Sequence, residues 1–352
     1  MYIKAEILSG LLTGSKNPFE VCHESSVLLY MSWGHTMKNN TIRLLSGLIG
    51  TAVMAASGHT SAGENMWVYA KGTDTRPQGS WEFKLSDTIR VDKDGNDYVF
   101  HDIRPEIEYG VTDKLTVGAE LIIFDHKYSL DDEINPMFET QGGEGGSYNK
   151  TQVGGYELTT KYNVLSPYKD IMGLSFGISY ERRDQYRLDG ADIDQDSFVF
   201  TTFTQWNWLD DTLTLVITPK VEFERRKSPG VLEEEIALDV AAGLTYRIAP
   251  QWFVGLEFRS QSDYLNPQEE GEFDPDLDRS SFDLTDIRVG TRHQYGNYFG
   301  PNIHFAEKEW WATVGALYQV GGGGSKYAYV ENDKNWDEHE KWHIGLSYGL
   351  EF

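Results

Sequence analysis

The sequence predicts an all-β protein, a transmembrane antiparallel up-and-down β-barrel of about twelve strands. Three observations lead to this prediction: the last eleven residues, the repetition of their pattern along the chain, and the alternation of short with long connections. In 342–352 every second residue is large and apolar or aromatic, whereas the residues between are small, polar or charged. Such alternation gives a β-strand two unlike faces. Aromatic residues at both ends of the apolar face, Trp342 and Phe352, indicate that this face contacts lipid.

The first 62 residues are expected to precede the mature protein. A basic start, a short apolar core and a small-residue cleavage site fill 37–62 and predict a secretory signal peptide. Residues 1–36 lie ahead of a second candidate start at Met37, so we interpret them as a misassigned N-terminal extension. The only cysteine of the chain, Cys22, lies there. We therefore expect no disulfide and no cysteine-based site in the mature protein.

Alternating runs follow one another from residue 81 to the end of the chain. Residues 63–79 lack this pattern and are expected as a periplasmic lead-in, with the barrel over 80–352. The runs, which turn signals separate, occupy 81–89, 99–109, 115–123, 156–164, 174–180, 198–208, 213–223, 236–248, 252–258, 282–306, 310–318 and 342–352. Pro219 inside the seventh run predicts a bulge, and Gly296, Gly300 and Pro301 predict a kink in the tenth.

The connections between these runs differ in length in a regular way. Those near 111, 168, 210, 250 and 308 are short, whereas most of the others are longer and polar. This asymmetry is typical of barrels with short periplasmic turns and long outer loops. Closing the sheet into a barrel also pairs the backbone N–H and C=O groups of every strand, as the hydrocarbon core of a bilayer requires. We therefore expect a monomer in the bacterial outer membrane, in contact with its lipid and with lipopolysaccharide.

Charged residues fall in the register opposite the apolar one and predict a charged lumen. Each Lys or Arg facing lipid at the midplane would cost about 2–4 kcal/mol. The expected lumen-lining residues are Arg90, Arg104, Glu106, Glu108, Glu120, Glu157, Lys161, Arg183, Lys220, Glu222, Glu224, Asp239, Arg247, Glu257, Arg259, Arg288, Arg292, His304 and His343.

Two hypotheses about this lumen remain open at the level of sequence. In the first, the charges line a water-filled pore for the passive passage of small solutes and set its selectivity. In the second, they pair across a narrow lumen and close it, leaving a structural or partner-binding barrel. Because acidic residues outnumber basic ones, 55 to 31, the pore hypothesis includes a preference for cations.

The acidic balance also limits the partners and cofactors. A net charge of −24 argues against nucleic acid, whose phosphates need a basic surface. Asp192, Asp194 and Asp196 place carboxylates at alternate positions, which suggests Ca²⁺ or Mg²⁺ bound at an outer loop. The simpler interpretation is a solvated acidic loop, with no cofactor.

An enzyme is the third alternative, because the stretch 292–297 superficially resembles the His-Gln-Ser-Asn stretch of outer-membrane phospholipases. Tyr295 stands where that family has its serine nucleophile. A tyrosine without an activating base is a poor acyl acceptor. We therefore predict no enzymatic activity and keep a lipid hydrolase as the alternative.

The run Ile107-Glu108-Tyr109-Gly110-Val111-Thr112-Asp113-Lys114-Leu115, the alternating strands and the terminal Phe352 carry a family resemblance. Over most of 80–352 the chain resembles uncharacterised bacterial outer-membrane β-barrels, similar in style to outer-membrane transporters of aromatic-degradation operons. The resemblance implies the barrel architecture and, through the C-terminal strand ending in Phe352, recognition by the barrel-assembly machinery. It implies no site residues and no particular solute.

Overall fold

Twelve antiparallel strands form one closed barrel. The structure is a computed structural model that describes residues 65–93, 96–129, 147–228, 231–266, 268–269, 272–273, 292–325 and 328–352. The predicted N-terminal extension and signal peptide, 1–36 and 37–62, lie outside these residues. Within the described ranges no helix is long and apolar enough to cross a membrane.

Each barrel strand pairs with its neighbours in the sequence, and the first pairs with the last. The strands are β1 (Trp81–Lys93), β2 (Asn96–Thr112), β3 (Leu115–Ser129), β4 (Ser147–Leu165), β5 (Gly173–Gln185), β6 (Asp192–Trp208), β7 (Leu213–Ser228), β8 (Val231–Ala249), β9 (Trp252–Asn266), β10 (Gln294–Ala306), β11 (Trp310–Gly324) and β12 (Trp342–Glu351). Between β1 and β12, Glu82 lies opposite Glu351 and Val91 lies opposite Trp342. Two short ladders, 268–269 with 272–273 and 330–331 with 334–335, lie outside the barrel sheet.

The outer face of the barrel is apolar. Large exposed residues from all parts of the sheet share this face, among them Leu85, Ile107, Leu121, Leu158, Phe176, Ile178, Phe200, Leu244, Leu256, Ile303, Val314 and Leu346. A soluble monomer rarely exposes so much contiguous apolar surface. The alternation predicted from the sequence therefore separates a lipid-facing surface from a polar interior.

Aromatic rings collect near both edges of this apolar surface. At the edge where β1 begins, Trp252, Phe305, Trp310 and Tyr348 follow one another with ring centroids 4.8–5.9 Å apart. At the opposite edge, Tyr318 and Trp342 are 4.8 Å apart. Amphipathic rings at these two levels are what the headgroup regions of a bilayer favour.

The two ends of the barrel are unlike, and we name them by their connections. The turn end holds the start of β1, the end of β12 and the short connections 113–114, 166–172, 209–212, 250–251 and 307–309. The loop end holds the other connections, including 186–191 and 325–341. The predicted asymmetry of connection length holds in part: the longest connections lie at the loop end, but 94–95 and 229–230 at the same end are as short as those at the turn end.

The expected bulge at Pro219 is absent, and the prediction was wrong on this point. Pro219 pairs with Val240 on β8, and the β6–β7 pairs on either side of it keep a single offset. Pro105 and Pro301 behave in the same way. Each of these prolines lacks a backbone N–H, so pairing with one neighbouring strand is interrupted over two residues. No residue is added to the strand, and the register stays the same on both sides. In β10 the register shifts between Asn297 and Tyr298, within the stretch 296–301 where a kink was expected.

Candidate functional site in the barrel lumen

Of the residues expected as a periplasmic lead-in, 65–79 run inside the barrel instead. We call the part 65–80 the luminal segment. It begins against β10 and β11, where Asn302 donates a hydrogen bond to the Met66 carbonyl (2.6 Å) and Thr313 donates one to the Asn65 carbonyl (2.6 Å). It then crosses the turn-end half of the lumen and leads into β1. Side chains that face the lumen thus hydrogen-bond to the backbone of the luminal segment.

Glu257 of β9 binds three consecutive amides of the luminal segment. Its Oε1 accepts hydrogen bonds from the N–H groups of Tyr69 and Ala70, both at 2.7 Å, and its Oε2 accepts one from Val68 at 2.9 Å. The carboxylate is fully buried. Hydrogen bonds to an ionised acceptor are shorter and stronger than neutral ones. Glu257 therefore holds the backbone of the segment where no neighbouring strand is available.

Glycines in the barrel wall make room for the luminal segment. A Cβ atom added at Gly243 would overlap the indole of Trp67, and one added at Gly345 would overlap Val68. Trp67 itself is 3% exposed. The wall and the segment are therefore packed against each other, and the close approach depends on the missing side chains.

On the opposite wall the luminal segment is bound at Thr73. The Thr73 carbonyl accepts hydrogen bonds from Asn163 (2.9 Å) and Ser175 (2.5 Å), and its N–H donates to Gln205 (2.9 Å). Lys161 donates to the carbonyl of Gly72 at 2.8 Å. The segment therefore spans the lumen from one wall to the other.

Arg76 fixes the last part of the luminal segment next to the start of β1. Its Nη1 lies 2.7 Å from Glu82 and 3.0 Å from Glu351, on the two strands that close the barrel. Its N–H donates to Thr116 at 2.8 Å. The guanidinium is buried, at 1% exposure. This ion-pair cluster joins the segment, the first strand and the last strand.

The loop end of the lumen is filled by two connections that fold inward. Tyr98, His126 and Tyr128 hydrogen-bond to the carbonyls of Leu188, Arg187 and Asp189 in 186–191. The connection 325–341 enters from the other side, where Lys93 donates to the Trp336 carbonyl at 3.1 Å. The two connections meet at Glu338, which lies 3.0 Å from the Tyr186 hydroxyl and 3.3 Å from Arg187.

Between the luminal segment and these two connections lies a cavity of about 330 Å³. Thirteen of the expected lumen-lining residues line it: Arg90, Arg104, Glu106, Glu108, Glu120, Glu157, Lys161, Arg183, Lys220, Glu222, Glu224, Asp239 and Arg259. The structure therefore places most of the charged register around one space inside the barrel.

The remaining expected residues lie elsewhere. Glu257 and His343 also face the lumen but are buried against the luminal segment, and His304 is buried beside Thr313, which binds the start of that segment. Arg247 donates to the Asp210 carbonyl at the turn end, and Arg292 lies 3.6 Å from the ring centre of Tyr295. Arg288 falls outside the described residues.

The charges of the cavity pair around its wall in a continuous chain. Arg104 contacts four carboxylates, those of Asp102 (2.7 Å), Glu120 (2.8 Å), Glu157 (3.2 Å) and Glu181 (3.2 Å). From Glu181 the chain continues through Arg183, Glu222, Lys220, Asp239 and Arg259. Buried charges need such compensation. The pairs follow the strands around the barrel, and the luminal segment and inward connections occupy the two ends of the space.

The cavity does not share the acidic excess of the whole chain. Among the described residues, eleven acidic and ten basic side chains line it. The sequence-based preference for cations rested on the overall count of charged residues. Because the acid excess lies outside the cavity, that count says little about the solute that the lumen accepts.

The other candidate residues do not assemble into a site. Asp194 and Asp196 both contact Arg182, and Asp192 accepts a hydrogen bond from Gln185. In the part of the chain that the structure describes, no group of three or more His, Cys, Asp or Glu residues is arranged to hold a metal.

One serine–histidine contact, which the sequence did not suggest, bears on the hydrolase alternative. The Ser325 hydroxyl lies 3.2 Å from His293 Nδ1. No described carboxylate hydrogen-bonds the other ring nitrogen of His293, so the third group that orients a catalytic histidine is missing from this pair.

Sequence reasoning missed the residues that bound the cavity at its two ends. Trp67, Tyr69 and Lys71 border it from the luminal segment, and Arg187 and Glu338 border it from the loop end. None of them lies in an alternating strand. The sequence around them therefore carried no signal for a position inside the barrel.

The barrel resembles solved outer-membrane proteins. The COG4313 outer membrane channel from Pseudomonas putida F1 superposes with a TM-score of 0.53 at 10% identity, over 80% of this chain and 98% of that one. The beta domain of the Bordetella autotransporter BrkA gives 0.47 at 12% identity, over 79% and 100%. The NanC porin gives 0.41 at 8% identity, over 76% and 98%.

The first of these similarities, together with the closed twelve-strand barrel and its apolar outer face, shows the fold of an outer-membrane β-barrel. By sequence, the profile of a family of unknown function, DUF6662, matches residues 59–352. No curated protein sequence is detectably similar to the chain.

Proposed function

The chain belongs to DUF6662, a family of unknown function, and we propose that it is an outer-membrane channel for the passive passage of small solutes. In the conformation described here the luminal segment closes the turn-end half of the channel, and the two inward connections fill its loop end. The observation that carries this proposal is the cavity of about 330 Å³, lined by charged side chains and bounded by the segment and the two inward connections.

The burial of charge inside the barrel supports a channel over a purely structural role. A barrel that serves only as a scaffold is stabilised as well or better by an apolar interior, because buried ion pairs recover little more than their desolvation cost. Eleven acidic and ten basic side chains around one space among the described residues are instead suited to hydrated, polar solutes.

The attachment of the luminal segment supports a closure that can be reversed. Its backbone is held by individual side chains such as Glu257 and Asn163, and it adds no strand to the barrel sheet. Such contacts can be exchanged for water without breaking the sheet. Opening then requires movement of the segment while the barrel stays intact.

Single-channel recording in planar bilayers tests this function. The purified full chain is compared with a variant that lacks residues 65–76, and both are checked for the faster migration of a folded barrel in unheated electrophoresis. We expect rare or small conductance steps from the full chain and larger, long-lived steps from the deletion variant. If a folded deletion variant gives no steps at any voltage, the barrel is closed and the channel function is refuted.

A further inference from the structure

We propose that the cavity contains a binding site for a small organic carboxylate, with Arg90 and Arg259 as the groups that bind it. This inference names the solute class of the proposed channel. It rests on that function only for the claim that the bound anion is also transported.

Arg90 of β1 is a buried cation with little compensation. It is 5% exposed and lines the cavity. Its one ionic contact within the described residues is to Glu340 at 3.8 Å, and Glu340 is shared with Lys93 (3.7 Å) and with His343 (3.1 Å). The Nε and Nη1 atoms of Arg90 have no hydrogen-bond partner in the described chain. Buried donors of this kind are normally satisfied, so they indicate a partner that comes from outside the chain.

Arg259 of β9 offers a further donor to the same cavity. Its Nε and Nη2 bind Asp239 at 3.1 and 2.7 Å, but its Nη1 has no hydrogen-bond partner among the described residues. Asp239 also lies 3.9 Å from Lys220, so its charge is shared. Asp239 therefore holds one edge of the Arg259 guanidinium in place, while the N–H groups of Nη1 remain available to a ligand.

Tyr69 of the luminal segment connects the two arginines. The Arg259 guanidinium lies 3.8 Å from the centre of the Tyr69 ring, and the Tyr69 hydroxyl bonds to His343 at 2.7 Å. His343 in turn lies directly opposite Arg90 in the β1–β12 register. The unpartnered donors of Arg90 and Arg259 are thus brought to the same region of the cavity, above the segment that closes it.

The chemistry of these donors favours a carboxylate with an organic body. A planar guanidinium matches the two oxygens of a carboxylate and keeps its charge when buried. The same cavity is also lined by Trp67, Val199, Phe203 and Ala241, which offer apolar contacts to a carbon skeleton. A volume of about 330 Å³ accommodates a molecule of a few carbon atoms with some water.

Isothermal titration of the purified full chain with three small molecules of similar shape tests the site. Butyrate carries the carboxylate, butyramide is its neutral counterpart and butylamine is cationic. We expect butyrate to bind about ten-fold or more tightly than either of the others, the difference expected for one charge-assisted hydrogen-bonding group. Inorganic phosphate serves as a fourth probe and is expected to bind more weakly than butyrate, because it lacks the apolar body.

Variants separate the site from general effects of charge. Arg90→Gln is expected to weaken butyrate binding about ten-fold or more. Arg90→Lys should weaken it less, because lysine keeps the positive charge but lacks the paired N–H donors of the guanidinium. Arg225→Gln is the matched control, since that side chain is half exposed, pairs with Glu234 and does not line the cavity. It should leave binding unchanged.

Equal binding of butyrate and butyramide, or of butyrate and phosphate, would overturn the proposal, as would the absence of butyrate binding. These comparisons use the unaltered chain and hold even if Arg90→Gln does not fold. Butyrate binding together with a silent deletion variant in the bilayer would keep the site and refute the channel. Conductance without butyrate binding would keep the channel and refute the site.

Discussion

Glu257 gives the luminal segment the hydrogen-bond acceptors that a neighbouring β-strand would otherwise supply. One carboxylate accepts hydrogen bonds from three successive amides, all within 2.9 Å. A buried amide without a partner costs about 1–3 kcal/mol. The position of the segment therefore depends strongly on a single side chain of the wall.

Glu257→Gln is expected to loosen the luminal segment without unfolding the barrel. The substituted amide has one acceptor oxygen and directs an NH₂ group at backbone donors, so about 2–4 kcal/mol of anchoring should be lost. Hydrogen exchange followed by mass spectrometry should show faster exchange at 68–70 and unchanged exchange in the strands. Glu307→Gln, at an exposed turn, is the control. Unaltered protection at 68–70 would contradict this role of Glu257.

Asp337 in the connection 325–341 makes the loop end sensitive to pH. Burial raises the pKa of Asp337 to about 6 from its ordinary value of 3.8, against the effect of a hydrogen bond from the Tyr329 amide. The folded connection therefore binds a proton more tightly than the unfolded chain. The protonated Asp337 carboxyl therefore stabilises the folded connection fully below about pH 3.8, and this stabilisation is lost as the pH rises through about 6.

Hydrogen exchange at 336–340 measures this pH dependence. After correction for intrinsic rates, protection in the wild type should fall relative to Asp337→Asn as the pH is raised from about 4 to about 7. The comparison with Asp337→Asn isolates this carboxyl from its acidic neighbours. Parallel profiles for the two proteins would show that Asp337 does not titrate in this range.

At the scale of elements, the luminal segment and the wall fit each other through small residues. Trp67 lies against Gly243 so closely that a Cβ atom there would overlap the indole. At Gly321, by contrast, the nearest atom to an added Cβ is 4.0 Å away. These two glycines therefore form a matched pair, one in contact with the segment and one free of it.

Gly243→Ala is expected to displace Trp67 and with it the luminal segment. In planar bilayers the variant should give larger or more frequent conductance steps than the wild type, whereas Gly321→Ala should not differ from the wild type. Both positions are in strands, where glycine is no more favourable than alanine, so the stability of the barrel should change little. Wild-type conductance from Gly243→Ala would mean that the segment does not control passage.

The strands could be predicted from sequence because each carries its own period-two signal. β4 and β5 are examples: Leu158, Phe176 and Ile178 are exposed on the apolar face, as alternation requires. The luminal segment carries no such signal. Its partners, such as Glu257, stand nearly 190 residues away in the sequence, and its hydrogen bonds go to side chains. Nothing local to 65–80 therefore indicates that it lies inside the barrel.

The candidate site could be predicted only in part, for a similar reason. Arg104, Lys220 and Glu222 were expected inside because hydrocarbon excludes charge, and all three line the cavity. The same argument cannot say which charges are compensated. The shortage of partners at Arg90 depends on how Glu340 is shared with Lys93 and His343, which is decided by tertiary structure alone.

For the whole molecule, the separation of an apolar exterior from a charged interior is the feature with the largest energetic consequence. Leu158 and Thr159 are neighbours on β4, and the first is 51% exposed on the outer face while the second lines the cavity. Leu158→Arg should destabilise the barrel in lipid by about 2–4 kcal/mol, measured by denaturant unfolding in vesicles. Thr159→Arg places the same charge among carboxylates and should cost clearly less. Equal losses would refute the assignment of faces.

The seam between β1 and β12 constrains the order of assembly. Trp81 and Phe352 exchange backbone hydrogen bonds at 2.7 and 3.0 Å, so the first strand of the barrel obtains its second neighbour only from the twelfth. Until β12 pairs with it, the edge of β1 has unpaired backbone groups and is a potential template for unwanted pairing. The luminal segment is attached to the same seam, since Arg76 contacts both of its strands. Docking of the luminal segment and closure of the barrel are therefore coupled through a single guanidinium.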